Sequence, residues 1–117
     1  MPSTSPSGEP VFMVPTGVAK PVNYSSAQTG TAVWTPATGK RVALYGYMFT
    51  KDTAGTSRLI VGTSSTLIVP HTYIPANGTV GVPAGSVPIW VGAVDQVVGY
   101  TSVGGGNESV LIWGYEI

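Results

Sequence analysis

The sequence holds 117 residues, of which 9% are charged, and its formal net charge is zero; an ordinary soluble domain carries about 25% charged residues. Zero net charge argues against the basic surface that displaces counterions from nucleic acid. The absence of Cys excludes disulfides and thiolate metal sites, and no run of about eighteen apolar residues exists to cross a membrane as a helix.

Residues 1–28 are rich in Pro, Ser, Thr and Gly. Pro2, Pro6, Pro10 and Pro15 each fix φ and remove a backbone donor, which disfavours a helix or a central strand. Only Val11-Phe12-Met13-Val14 reads as a short strand, and the opening residues lack the basic start and long apolar run of a signal peptide. The segment is expected to be an extended arm, with Val11 to Val14 contacting another subunit and Phe12 as the anchor, because an aromatic side chain offers the largest apolar contact there.

From residue 29 onward strands dominate. "TAVWTP" is a strand ended by Pro36, and "TPATGK" is a turn. "RVALYGYMFT" (41–50) is the longest strand signal, with apolar side chains at both odd and even positions rather than on one face. "KDTAGTS" is a polar turn; "RLIVG" and "STLIVP" form a hairpin around 62–65. Asn77-Gly78 is a strong two-residue hairpin signal because both residues tolerate positive φ. "TVGVP", "VPIWVGA" and "DQVVGYTS" are further short strands, "GGGNE" is a turn, and "SVLIWGYEI" is a last strand, with Leu111, Trp113 and Tyr115 expected on its buried face. Short strands between turns, without helical periodicity, predict an all-β fold, an antiparallel β-sandwich of jelly-roll type over 29–117.

No Asp, Glu, Lys or Arg occurs between Arg58 and Asp95. Exposed apolar strands without charges pair and aggregate. One face in a core and another against a partner would resolve this, so an assembly is expected; low charge also leaves little repulsion between copies.

Chemistry-bearing patterns are sparse. His71 is the single His and has no acid near it in sequence, so neither a catalytic triad nor a metal site is indicated. The acids Glu9, Asp52, Asp95, Glu108 and Glu116 are scattered. "GGGNES" lacks the Lys-Ser/Thr of a phosphate-binding loop. Sequons at Asn23, Asn77 and Asn107 are short matches in a Ser/Thr-rich chain and are given no role. No catalytic, cofactor-binding or metal-ligating residue is assigned. Trp34, Trp90 and Trp113 could stack on sugars, but aromatic side chains also dominate cores and interfaces. Trp113 and Trp90 read as packing, whereas Trp34, before Thr35-Pro36 at a strand end, is the best suited to an exposed, interface role.

"VWTPATGKRVALYGYMFTKDTAGTSRLIVG" and "GAVDQVVGYTSVGGGNESVLIWGYEI" together resemble the opening and close of small β-sandwich virion proteins of tailed bacteriophages, over about residues 33–117. The shared features are a "TPxxGK" turn into a long apolar strand, a Gly-x-x-Asp turn, a Gly-rich turn and a terminal strand ending in Gly-Tyr-Glu. The resemblance implies a non-enzymatic virion protein, most simply a capsid decoration or cement protein on the capsid surface. Its partners would be the major capsid protein and sister copies in a homotrimer, with no cofactor, nucleic acid or membrane. The alternative is a tail or fibre receptor-binding, or carbohydrate-binding, β-sandwich module.

Overall fold

The computed structural model describes residues 3–4, 10–11, 17–83 and 85–117. They form strands β1 (Ser3–Thr4), β2 (Pro10–Val11), β3 (Val18–Tyr24), β4 (Thr31–Trp34), β5 (Val42–Lys51), β6 (Gly55–Val61), β7 (Leu67–Ile74), β8 (Gly78–Val82), β9 (Trp90–Val91), β10 (Val98–Val103) and β11 (Glu108–Glu116). No helix occurs among the described residues. β1 and β2 pair with each other, Ser3 opposite Val11.

The other strands make a sandwich of two antiparallel sheets. One runs β4-β10-β6-β7; the other runs β3-β11-β5-β8, with β9 also pairing β5. The inner faces bury Trp34, Val98, Tyr100, Leu59 and Val69 from the first sheet against Val42, Leu44, Phe49, Val110 and Ile112 from the second. Each such side chain contributes about 1.5–3 kcal/mol by leaving water. The antiparallel β-sandwich expected from the strand and turn pattern is therefore the fold.

Local chemistry explains the turns. The two-residue hairpin expected at Asn77-Gly78 does not form: only Asn77 takes positive φ (58°), the Gly78 N–H donates to the Pro75 carbonyl at 2.9 Å, Gly78 already opens β8, and the turn carries the chain from one sheet to the other. The β6–β7 turn closes with Val61 N–H donating to the Thr66 carbonyl at 3.0 Å. Pro70 and Pro21 both sit within strands, and both strands, β7 and β3, are sheet edges, where a missing donor costs no ladder bond.

Two expectations about strand bounds and faces are corrected. The boundary at residue 28 falls too late, because Val18–Tyr24 is an integral edge strand in register with β11 from Gly114 to Glu108. In β11 the buried set is Glu108, Val110, Ile112 and Gly114, while Leu111, Trp113 and Tyr115 lie half-buried on the outer face. Both parities of the strand are apolar, so the alternation alone could not choose the face. In β5 a bulge leaves Tyr45 unpaired, since Trp113 faces Gly46 and Gly114 faces Leu44. The inward set then changes from Val42 and Leu44 to Phe49 and Lys51, which explains why both parities of this strand look apolar.

Candidate functional site

Three regions hold the side chains with functional potential: the outer face of the five-stranded sheet, the sealed polar end of the core, and a cleft at that same end.

The outer face follows from register. Across β3, β11, β5 and β8, the outward rows are Asn23–Ser109–Thr50–Thr79, then Pro21–Leu111–Met48–Gly81, then Ala19–Trp113–Gly46. Beyond the bulge, the Tyr45 and Tyr115 rings meet edge to face at 5.1 Å between centroids. None of these residues is charged. Trp113 lies over Gly46, whose missing side chain makes the space: a Cβ there would come within 2.5 Å of the indole. The Trp113 indole nitrogen is covered and has no partner among the described residues. Beside it a groove of about 240 Å³ runs between Trp113, Met48, Val82 and Pro83. With strands about 4.8 Å apart and a rise of about 3.3 Å per residue, the uncharged area is roughly 20 Å on a side.

The opposite outer face, on the four-stranded sheet, differs. It carries Arg58, whose Nη1 meets His71 Nε2 at 2.9 Å, and the exposed Tyr73 and Val103. His71 lies within edge strand β7 rather than at its end.

Between the sheets, Lys51 Nζ donates to Glu108 Oε2, and both side chains are fully buried. The two are direct cross-strand partners. Glu108 Oε1 accepts from the Ser102 hydroxyl of the other sheet, and Ser102 Oγ accepts from the Gln28 N–H at 2.9 Å. Next to this network Tyr100 shares a 2.7 Å hydrogen bond with Ser57. Burial, reinforced by the Glu108 charge, pushes the Tyr100 phenol up to about 12 against the opposing hydrogen bond from Ser57. The same two causes raise Tyr24, whose ring stacks on Tyr100 at 5.8 Å with a 6° interplanar angle.

A cleft of about 420 Å³ opens at this end, above the ion pair. Turns at Asp52, Asn77 and Asn107 wall it, together with the ends of β3 and β11 at Asn23, Tyr24 and Ser109. Asp52 N–H donates to the Asn107 carbonyl at 3.0 Å, tying two of the turns together.

Of the residues expected at an interface, Phe12, Met13 and Val14 lie outside the described residues, and Val11 is described only as a backbone partner of Ser3. Trp34 is corrected: it is 1% exposed and plugs the core. Its indole N–H donates to Glu116 Oε2 at 3.4 Å, and Lys20 Nζ lies 5.5 Å over its ring. A strand end can still point inward, and this one is covered by an inward-facing Lys20 from β3, the strand that proline content hid. A ring so enclosed offers no surface to a partner. Sequence reasoning did not find the outer face, because that requires register. It also missed the Lys51–Glu108 pair, because Lys51 reads as the start of a polar turn.

Among the described residues no group of three His, Asp or Glu side chains is placed to hold a metal ion. Compared with known proteins, the sequence matches no family model and no curated protein.

Proposed function

We propose that this chain is a non-enzymatic structural protein of a virion, a decoration or cement subunit that binds an assembled capsid across the joints between copies of the major capsid protein. The observation that carries the reading is the uncharged outer face of the five-stranded sheet, centred on Leu111, Trp113 and Met48. A face of that kind loses little desolvation energy when covered and gains apolar burial at about 25 cal/mol per Å². The resemblance of residues 33–117 to phage virion proteins supplies the identity of the shell.

Magnitudes favour attachment at several points over a single pairwise contact. The face is roughly half of the about 800 Å² that each partner buries in a stable interface. A trimer seated on a symmetric shell presents the face three times, and linked weak contacts add steeply through effective concentration. A subunit that binds only the assembled shell then stabilises it by mass action.

The test compares occupancy of wild-type and Met48→Asp chains on the same capsids. Met48 is exposed, so the substitution leaves the core intact, whereas a carboxylate at the centre of the face must be desolvated on docking. The expected outcome is normal folding with at least a tenfold loss of occupancy and earlier particle rupture on heating. Equal occupancy, with equal particle stability, would remove this face from the mechanism.

A further inference from the structure

The cleft above the buried ion pair borders the docking face, sharing Asn23, Thr50 and Ser109 with its polar end row, and its chemistry is specific. The sequon asparagines, far apart in sequence, converge there: Asn23 from β3, Asn77 from the β7–β8 turn and Asn107 from the β10–β11 turn. All three are exposed. Among the described residues none of their carboxamides has a hydrogen-bond partner, in contrast to Thr50, which shares a 3.2 Å bond with Thr79. Asp52 adds a carboxylate, exposed and, among the described residues, bonded through its side chain to the neighbouring Thr53 hydroxyl alone, at 3.2 Å. Among the described residues that line the cleft, the single cation, Lys51, is sealed beneath it in its pair with Glu108.

This set selects a ligand class. Phosphates and carboxylates are disfavoured, because no accessible cation among the described residues faces the cleft and Asp52 repels them. An apolar ligand would strip water from three carboxamides and replace none of their hydrogen bonds. A neutral polyol matches: each hydroxyl donates and accepts, as does each carboxamide, and a carboxylate accepts from two adjacent hydroxyls. Tyr24 supplies an aromatic wall, its ring stacked on Tyr100 and its phenol able to donate. The volume lies within the about 300–1,000 Å³ of small-molecule sites.

We propose that this cleft binds a neutral saccharide, held by the carboxamides of Asn23, Asn77 and Asn107 and the carboxylate of Asp52. This reading does not rest on the docking role of the adjoining outer face; a shell protein so equipped would attach particles to glycan-bearing surfaces.

The experiment titrates the full-length, isotope-labelled chain with methyl glycosides of glucose, galactose, mannose and N-acetylglucosamine, with sialic acid as the charged arm and glycerol as a simple polyol. Side-chain NH₂ resonances of the three asparagines are the readout. At least one neutral glycoside is expected to shift all three with a millimolar or tighter dissociation constant. Sialic acid should bind more weakly. Asn107→Ala should weaken binding roughly three- to tenfold, the value of one neutral hydrogen bond. Glycoside shifts no larger than those from glycerol, preferential binding of sialic acid, or unchanged binding in both Asn23→Ala and Asn107→Ala would each overturn the proposal. The wild-type titration stands even if a variant fails to fold, and capsid occupancy plays no part in it.

Discussion

Glu108 and Glu116 stand at the two ends of the same strand, β11, and both point toward the interior, yet they live in opposite environments. Glu108 is sealed with Lys51 and bonded to Ser102. Glu116 sits at the open rim, where its carboxylate accepts from the Ala37 N–H at 2.6 Å and the Trp34 indole at 3.4 Å. The first is a charge that the fold must neutralise internally; the second is a charge that the fold borrows to satisfy donors at its edge. Burying an ion pair costs several kcal/mol per ion before attraction repays it. The sealed pair therefore serves register more than stability: it fits only when Lys51 and Glu108 are directly opposite, which helps to fix two strands whose alternation is ambiguous.

The sharpest break of this comparison is Glu108→Ala. It strands Lys51 without a counter-charge and should cost about 3–5 kcal/mol, measured by chemical denaturation. The double variant Lys51→Met/Glu108→Leu should recover most of that loss, since an apolar pair of similar volume needs no partner. If the double variant is as unstable as the single one, the pair holds the fold by its charge and not by excluding an orphan.

At the rim end the large term is packing. Trp34→Ala should cost about 3–5 kcal/mol as a core truncation, whereas Trp113→Ala on the outer face of β11 should cost far less. Equal costs would mean that the outer face is covered within the chain.

A smaller effect appears in alkali. The Tyr100 phenol rises from 10 to about 12 on folding, so the unfolded chain ionises first. Stability is complete below pH 10 and falls as pH rises from 10 toward 12. Tyr100→Phe should flatten that fall, seen as denaturation midpoints that separate less between pH 9 and 11, the remainder coming from Tyr24.

The smallest effect is in acid and belongs to Glu116. Its carboxyl is held below the ordinary 4.5, chiefly by the Ala37 N–H, with help from the Trp34 indole and from Lys20 and Lys40. A depressed carboxyl contributes stability above its unfolded value and loses it as pH falls through the folded one. Glu116→Gln should thus lower the denaturation midpoint at pH 7 and converge with wild type on acidification below 4.5. A gap that persists unchanged in acid would assign the effect to shape and not to charge.

The strands were legible because their turns carry chemistry: Asn77-Gly78, Gly62 and the glycine run before Asn107 punctuate the chain where the structure turns. What was not legible depends on neighbours. β3 was hidden because it lies in the Pro-, Ser-, Thr- and Gly-rich stretch of residues 1–28, and only its place at an edge makes its Pro21 harmless. The face of β11 was unreadable because Val110 and Leu111 are equally apolar. Its first residue, the buried Glu108, contradicts the rule that charges face water. Trp34 was misplaced for the same reason: its cover comes from Lys20, a residue distant in sequence. The cleft could not be foreseen at all, since three separated sequons meet only once the turns are stacked.

The position of β11 carries a consequence for biosynthesis. It is hydrogen-bonded on both sides, to β3 and to β5, yet it is made after β6, β7 and β10. The four-stranded sheet has all its strands by Val103, while β3 and β5 must wait for their shared central partner. During synthesis the nascent chain therefore displays two unpaired strand edges, and a message truncated before Glu108 would release them permanently. Few charges exist to keep such edges apart. Expression at low temperature or with a holdase chaperone should raise the yield of full-length protein while leaving chains that stop short of β11 in the pellet.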